Sequence, residues 1–335
     1  MIPDGLQVTY ERAGAGRRLD VALALLDDGD GSGAAELARE AVALAPSWAE
    51  AWFVLGEALE LAGDKDAGAA AFRKYLEHDP SDRLGSSPRL ALLGAADTPE
   101  RLPPAYVRQL FDQIAPAFET QLVDRLGYCG PRLLWQTLQA FKQNLPESPT
   151  ILDLGCGTGL AGEIFSVLGG VMDGLDISPG MLAQARAKGL YRALQSGDIA
   201  TPPDDLCLRY DLLIAADVFN YLGDLASTFS SCAGRLKPGG LLLFTVEADL
   251  ETPDDLRSAY SLGPGQRFRH DPMALRAWLS GNGFSLLAQD RAALRREKGL
   301  PVEGLVILAQ KDQPAAISHS TGGATPAPWT LPGAG

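Results

Sequence analysis

The sequence has few cationic residues and few histidines, and both shortages limit what it can do. It contains 29 Lys and Arg residues against 42 Asp and Glu residues, which gives a formal net charge of −13, and it has three histidines. Nucleic-acid affinity is built from Lys and Arg contacts with phosphates, so an acidic chain opposes such binding. We therefore expect no nucleic-acid partner.

Paired cysteines and long apolar runs are also missing. The four cysteines are far apart and form no C-x-x-C pair: Cys129, Cys156, Cys207 and Cys232. This spacing argues against a metal site and favours reduced thiols. No run of 18 apolar residues occurs, and the first residues lack the basic-then-apolar order of a signal peptide. We expect a cytoplasmic protein with no bound metal and no membrane partner.

An internal repeat of 34 residues occupies the first part of the chain. The stretch "AWFVLGEALELAGDKDAGAAAFRKYLEHDP" ends in Pro80, and Pro46 lies one period earlier. Its order of large, apolar, small and aromatic positions resembles a tetratricopeptide repeat, a helical hairpin closed by proline. Two repeats are few for an independent stack, so we predict a capping helix over residues 88–95. The repeats predict either a protein or peptide docking surface or a structural support, for example in a homodimer.

The stretch "ILDLGCGTGLAG" (residues 151–162) carries two overlapping glycine patterns. One is the G-x-G-x-x-G typical of dinucleotide binding, and the other is a G-x-G-x-G that follows Asp153. Glycines let the backbone turn sharply beside a ligand, and the next helix directs its positive end at the site. Asp153 would repel a pyrophosphate but attract an ammonium or sulfonium group. The sequence therefore favours a cofactor other than a dinucleotide.

Two further acids follow predicted strands. Asp176 lies 21 residues after Gly155. An acid at this position accepts hydrogen bonds from ribose hydroxyls, both in a dinucleotide and in another cofactor that contains a ribose, so Asp176 does not decide between them. Asp198, followed by Ile199, offers an acceptor for an exocyclic amine beside an apolar contact for a purine. Short apolar runs alternate with helical stretches from about residue 150, which predicts a parallel sheet with crossover helices.

With these motifs in order, residues from about 105 to 310 resemble a class I S-adenosylmethionine-dependent methyltransferase. The matching motifs are "LDLGCGTG", "GLDISPGML", "GDI", "YDLLIAADV" and "LKPGG". The resemblance implies an α/β fold with a seven-stranded doubly wound sheet, mostly parallel with the last strand antiparallel, after an all-α repeat domain. We predict repeats over 1–95, a linker and helical lid over 96–148, the methyltransferase domain over 149–312 and a disordered tail over 313–335.

The resemblance also assigns S-adenosyl-L-methionine as the cofactor and gives roles to particular residues. Asp153 and the glycine turn would hold the methionyl part, Asp176 the ribose and Asp198 the adenine amine, with Asp217 near the methionine amino group or the acceptor. Cys156 is interpreted as a small filler of the turn. The predicted cofactor-binding set is Asp153, Gly155, Cys156, Gly157, Gly159, Asp176, Ile177, Met181, Asp198, Ile199 and Asp217.

Acceptor-binding residues are expected outside this shared core, in three segments. Residues 106–128 resemble the lid of small-molecule methyltransferases, residues 219–225 follow Asp217, and residues 260–271 carry a cationic cluster. The cluster would grip an anionic acceptor such as a carboxylate, or else pair with surface acids. The predicted acceptor-binding set is Tyr106, Phe111, Phe118, Phe219, Asn220, Tyr221, Arg267, Arg269 and His270.

His270, Tyr221 and Asp217 are the candidate catalytic residues. Of the three histidines, only His270 lies outside a repeat helix and the tail, so it is the one available as a general base, or else it is structural. The sequence predicts methyl transfer to an O or N atom of a small molecule. The alternatives are methylation of a protein or of a carrier-tethered substrate recruited by the repeats, cofactor sensing without turnover, and a different use of S-adenosylmethionine, such as transfer of another group or cyclisation.

Overall fold

The computed structural model describes residues 4–120, 127–203, 209–297 and 299–313. Its first part is helical, and its second part is built on a β-sheet. None of the described helices is both long and apolar enough to cross a membrane. The predicted disordered tail lies, from residue 314 onward, outside the described residues.

The first two helical hairpins follow the 34-residue repeat. Helices α1 (Asp4–Asp27) and α2 (Gly31–Leu44) form the first hairpin, and α3 (Ala49–Leu61) and α4 (Lys65–His78) form the second. Asp30 and Asp64 begin α2 and α4 by accepting hydrogen bonds from the backbone three residues later, at 2.9 Å and 3.2 Å. The predicted repeat therefore matches the placement of both hairpins.

Small residues allow the repeat helices to approach closely. A Cβ atom on Gly56 would lie 2.5 Å from the Phe72 ring, so only glycine fits where α3 meets α4. Helix α5 (Ser86–Leu92) packs after α4, in the place of the predicted capping helix over 88–95 but starting two residues earlier. Its Leu90 is buried with Phe53 and Phe72. Helix α5 therefore covers an apolar face at the end of the repeat stack.

The linker leads through two helices to the sheet. Helix α6 (Pro104–Ile114) forms part of the predicted lid, and α7 (Gly130–Gln139) precedes the first strand. Residues 121–126 of the predicted lid lie outside the described residues. Tyr106 of α6 packs on Gly85 at the end of the repeat region, where a Cβ atom would lie 2.9 Å from its ring. The repeat region therefore contacts the segment that precedes the sheet domain.

The second part contains a seven-stranded sheet in the order β3-β2-β1-β4-β5-β9-β8. Strands β1 to β5 are parallel, and β9 runs antiparallel between β5 and β8, which confirms the predicted fold class. The strands are β1 (Thr150–Leu154), β2 (Val171–Asp176), β3 (Ala193–Ser196), β4 (Tyr210–Ala215), β5 (Leu236–Glu247), β8 (Phe284–Glu297) and β9 (Leu300–Lys311). The intervening helices are α8 (Leu160–Phe165), α9 (Pro179–Lys188), α10 (Ala226–Arg235) and α11 (Pro272–Gly281).

Both faces of the sheet are covered, as apolar runs in parallel strands require. One core cluster includes Leu213, Phe229 and Phe244, and the other, on the opposite face, includes Ile151, Phe165 and Leu308. Because β1 to β4 are parallel, their carboxyl ends meet at one edge of the sheet. The change in strand order between β1 and β4 opens a crevice at this edge.

Two local predictions differ from the structure. The "LKPGG" turn lies within β5, which begins at Leu236, and a register shift after Tyr210 accommodates the extra residues. The segment 260–271, interpreted as an insertion, folds into a two-stranded sheet of β6 (Tyr260–Leu262) and β7 (Phe268–His270). The hairpin was not predicted because each of its strands is only three residues long.

Candidate functional site

A cavity lies at the carboxyl edge of the parallel strands. Its empty volume is about 1030 Å³, which includes the open solvent at its mouth. Residues that line it follow β1, β2, β3 and β4 and are joined by side chains from α6 and from the β6–β7 hairpin. One acid at or after each of these strands reaches the wall: Asp153, Asp176, Asp198 and Asp217.

The glycine turn after β1 forms one wall of this cavity. Gly155, Gly157 and Gly159 have φ angles of +63°, +53° and +92°, which L side chains rarely adopt. A Cβ atom on Gly155 would lie 2.2 Å from Val218, whereas one on Gly157 would meet no atom within 4 Å. Gly155 is therefore required by packing, and Gly157 leaves open space beside the cavity.

Asp176, the last residue of β2, organises the glycine turn. Its two carboxylate oxygens accept hydrogen bonds from the backbone nitrogens of Gly157 and Ser178, both at 2.8 Å. Burial raises the pKa of Asp176 to about 6, although these hydrogen bonds oppose the shift. The carboxylate lines the cavity and retains lone pairs for further donors.

Asp153 is a second buried carboxylate beside the turn. Its Oδ2 accepts a hydrogen bond of 2.7 Å from the Tyr191 hydroxyl, and burial raises the pKa of Asp153 to about 7. Next to it, burial raises the pKa of the Cys156 thiol, which keeps it protonated and agrees with the interpretation of Cys156 as a filler. A cationic ligand beside Asp153 would offset the energetic cost of its buried charge.

Asp198 lies after β3 and lines the cavity. One of its oxygens accepts from the Ala200 nitrogen at 2.9 Å, and the other lies 2.9 Å from Nη1 of Arg101. Apolar side chains also line the cavity: Ile177, Met181 and Ile199. The combination of an acceptor with apolar walls suits a flat polar ring.

Asp217 has a positive φ of 61° and belongs to a network of ionic groups. Its backbone nitrogen donates to Thr245 at 2.8 Å, and Asn220 donates to its Oδ1 at 2.5 Å. Its Oδ2 lies 3.3 Å from both Arg267 and Arg295. The Asp217 carboxylate is therefore fixed by three side-chain donors.

The two arginines are shared with further carboxylates. Arg295 lies 2.6 Å from both Glu247 and Glu297, and Arg267 lies 3.6 Å from Glu247. Burial lowers the pKa of Arg295, but the carboxylates outweigh burial and raise it overall. With Asp217, the network holds two guanidinium groups against three carboxylates, so its positive charge is already neutralised.

Aromatic side chains surround the part of the cavity next to Asp217. Phe111 packs edge-on against Phe118 and Tyr221, with ring centroids 6.1 Å and 5.3 Å apart, and all three line the cavity. Arg267 lies over the Tyr221 ring at 5.3 Å. Burial raises the pKa of Tyr221 to about 12, so its hydroxyl remains protonated at neutral pH.

Several predicted site residues lie outside the cavity lining. Tyr106 packs on the repeat region, Phe219 is buried in the sheet core, and Gly159 precedes α8 without lining the cavity. Asn220 is also outside the lining, and it contacts the site through its hydrogen bonds to Asp217 and to the Glu247 nitrogen. The other cofactor-set residues and Phe111, Phe118, Tyr221 and Arg267 do line the cavity.

His270 and Arg269 have positions that differ from the expected ones. His270 is fully buried outside the cavity lining, and its Nε2 donates to the Leu222 carbonyl at 2.9 Å. Burial lowers the pKa of His270 to about 4, so the ring is neutral. Arg269 lies on the exposed side of β7. The geometry therefore supports the structural alternative for His270, and the predicted base role has no basis in its position.

Tyr128 and Arg101 are among the cavity-lining residues that sequence reasoning missed. Tyr128 lines the cavity, and burial together with Asp217 and Asp153 raises the pKa of its hydroxyl, which makes it a hydrogen-bond donor. Arg101 reaches the wall from the linker. Tyr128 is the last residue of the lid segment 106–128 and could have been predicted there as a further aromatic residue. Nothing in the local sequence singles out Arg101.

The residues present fit S-adenosylmethionine better than a dinucleotide. Asp153 is a buried acid beside the glycine turn, where a sulfonium or ammonium group is favoured and a pyrophosphate is not. The open space beside Gly157 would be filled by a Cβ atom, as expected of a backbone that a ligand approaches closely. Asp176 and Asp198 would hold the ribose and the adenine amine.

Comparison with known proteins agrees with this geometry. Residues 152–242 match a family model described as a methyltransferase domain, and residues 19–83 match a tetratricopeptide repeat model. Ubiquinone biosynthesis O-methyltransferase from Bordetella pertussis is 31% identical over 100 residues, 29% of this chain and 42% of that protein. The corresponding protein of Nitrobacter winogradskyi is 33% identical over 94 residues, 28% of this chain and 36% of that protein.

A solved S-adenosylmethionine-dependent methyltransferase from Clostridium acetobutylicum is 18% identical, covers 61% of this chain and 99% of its own, and superimposes with a TM-score of 0.44. The chain spans less than half the length of the curated relatives it matches. The family-model matches therefore support a methyltransferase domain over residues 152–242 and tetratricopeptide repeats over residues 19–83. The resemblance on which the sequence interpretation depends is thereby confirmed.

Proposed function

We propose that this protein transfers a methyl group from S-adenosylmethionine to an O or N atom of an uncharged small molecule. The observation that carries the proposal is the set of four acids at or after β1 to β4 that line one cavity around the glycine turn. S-adenosylmethionine supplies an electrophilic methyl group when bound, and the chain supplies binding and alignment. The predicted roles of Asp153, Asp176 and Asp198 in binding it are part of this proposal.

The aromatic part of the cavity supports a compact acceptor. Phe111, Phe118, Tyr128 and Tyr221 enclose it beside Asp217. Flat or apolar groups gain most from such walls, because aromatic side chains offer large contact areas. The acceptor is therefore expected to present an apolar body toward α6.

The charge network argues against an anionic acceptor. Arg267, the cation expected to grip a carboxylate, already has Asp217 and Glu247 as partners. Bringing a further anion to this site would add a fourth carboxylate to two guanidinium groups. An uncharged hydroxyl or amine avoids this repulsion, because the acceptor then adds no charge to the site.

Asp217 supports the orientation of such a group. A carboxylate has about four lone-pair positions. Three are used by Asn220, Arg267 and Arg295, which leaves one for a donor in the cavity. Asp217 would accept a hydrogen bond from the acceptor hydroxyl or amine and hold its lone pair toward the cofactor.

The second candidate is methylation of a protein or carrier-tethered substrate. The tetratricopeptide repeats favour it, because such repeats present docking surfaces in general. The contact between Tyr106 and Gly85 keeps the repeat region beside the segment that forms the cavity wall. A docked partner would then lie near the site.

Label transfer separates these candidates. A donor labelled in its methyl group is offered with the small-molecule fraction and, separately, with the macromolecular fraction of a cell extract, using the wild type and Asp176→Ala. We expect label in an uncharged small molecule whose mass rises by one methylene unit, and less label with the variant, because its affinity for the donor is lower. Label confined to macromolecules would establish the second candidate instead, and a product of any other mass would exclude methyl transfer.

A further inference from the structure

The linker between the repeats and the sheet domain forms part of the cavity wall. Glu100 accepts hydrogen bonds from the backbone nitrogens of Gly223 and Asp224 at 2.7 Å and 3.1 Å, and the Leu102 nitrogen donates to Tyr221 at 3.0 Å. These bonds place Arg101 antiparallel to Leu222, on the loop after β4. The position of Arg101 is therefore set by the sheet domain itself.

The side chain of Arg101 lies beside the acid predicted to recognise the adenine amine. Its Nη1 is 2.9 Å from Oδ2 of Asp198, and both residues line the cavity. The other Asp198 oxygen is fixed by the Ala200 nitrogen at 2.9 Å. An acceptor and a donor are therefore held side by side in the cavity wall.

We propose that Arg101 is a specificity-determining residue for the adenine of the cofactor. This rests on the proposed function. Adenine presents an amine donor beside a ring-nitrogen acceptor, which is the complement of a carboxylate beside a guanidinium. The guanidinium has five N–H donors, so it can retain its bond to Asp198 while it donates to the ring nitrogen.

The pairing discriminates against a deaminated purine. Hypoxanthine carries a carbonyl in place of the amine and an N–H in place of the ring acceptor. The carbonyl would face the Asp198 carboxylate and the N–H would face Arg101, so both contacts become unfavourable. Arg101 thus contributes to affinity for adenine and to rejection of its analogue.

Calorimetric titration with two ligands tests this role. S-adenosylhomocysteine and its deaminated analogue S-inosylhomocysteine are titrated into the wild type, Arg101→Ala, Arg101→Lys and Arg291→Ala. Arg291 is an exposed residue paired with Glu303 away from the cavity, so its variant is the matched control. We expect Arg101→Ala to bind S-adenosylhomocysteine roughly 10- to 100-fold more weakly. Its preference over the analogue should shrink, and Arg101→Lys should lie between.

The outcomes separate the inference from the proposed function. If the wild type binds and Arg101→Ala binds equally well or more tightly, Arg101 does not recognise adenine and the inference is overturned. The same holds if affinity falls but the preference for adenine is unchanged. If the wild type fails to bind S-adenosylhomocysteine, the proposed function is contradicted, and so is the inference that rests on it.

Discussion

The guanidinium of Arg295 lies 3.3 Å from the carboxylate of Asp217, although 78 residues separate the two in the chain. Arg295 has a side-chain exposure of 1%, and it also lies 2.6 Å from Glu247. The last hairpin of the sheet therefore holds the acid that lines the cavity after β4.

Replacement of Arg295 tests the energetic importance of this contact. Arg295→Met would leave Arg267 as the remaining guanidinium partner of the buried acids Asp217 and Glu247, and we expect the free energy of unfolding to fall by about 3 to 5 kcal/mol. The neighbouring Arg296→Met, at an exposed position, should change it by less than about 0.5 kcal/mol. Urea denaturation of both variants measures the difference, and equal midpoints would contradict the account.

The buried acid Asp153 predicts a dependence of stability on pH. Burial raises the pKa of Asp153 from 3.8 to about 7 in the folded protein. The stability associated with its protonated form is therefore present below pH 3.8 and is lost as the pH rises through 7. Without cofactor, Asp153→Asn should exceed the wild type in unfolding free energy by on the order of 2 kcal/mol more at pH 8 than at pH 5.

Comparing the two pH values removes any constant effect of the amide on the Tyr191 hydrogen bond. The exposed Asp290→Asn serves as the control and should show the same difference at both values. If Asp153→Asn behaves like this control, Asp153 is not a buried acid with a raised pKa.

His270 predicts a pH dependence of the opposite sign. Burial lowers the pKa of His270 from 6.5 to about 4, so its contribution to stability is present above pH 6.5 and is lost as the pH falls toward 4. His270→Gln retains a donor for the Leu222 carbonyl but does not titrate in this range. It should remove about 2 to 3 kcal/mol of the acid-induced destabilisation while leaving turnover at pH 8 largely intact. Loss of that turnover in a folded variant would restore the predicted base role.

The glycine turn offers a test of cofactor proximity. Gly157→Ala and Gly169→Ala both place a methyl group at a positive φ, +53° and +67°, with no atom within 4 Å. Each should cost about 1 to 2 kcal/mol of stability through backbone strain. Only Gly157 lines the cavity, so only its variant should weaken S-adenosylhomocysteine binding, by roughly tenfold or more. Equal affinities of the two variants, measured by calorimetry, would place the cofactor elsewhere.

The elements that sequence reasoning predicted are those with strong local signals. Gly155 must be glycine because of its backbone angle and its contact with Val218, so the turn was visible in the sequence. Strands β1 and β4 were visible because burial on both faces of the sheet requires continuous apolar runs. Asp153 and Asp176 were found because each ends or nearly ends such a run.

The features that were missed depend on contacts between distant segments. Arg101 reaches Asp198 across 97 residues, and Glu247 reaches Arg295 across 48. His270 was singled out as a base because it is the one histidine outside a repeat helix and the tail, and the sequence does not show which side of β7 faces the core. In the structure His270 is on the buried side and Arg269 on the exposed side. A strand of three residues is too short for its buried and exposed sides to be assigned from sequence alone.

Calorimetric titration of S-adenosylmethionine into the wild type and Asp176→Ala tests the central claim most directly. The exposed Asp290→Ala serves as the control variant. We expect clear binding to the wild type and the control, and an affinity roughly 5- to 150-fold lower for Asp176→Ala, because a buried hydrogen-bonded acid is lost from the cavity wall. Absence of wild-type binding, together with binding of a nicotinamide dinucleotide, would contradict the account and assign the glycine turn to a dinucleotide.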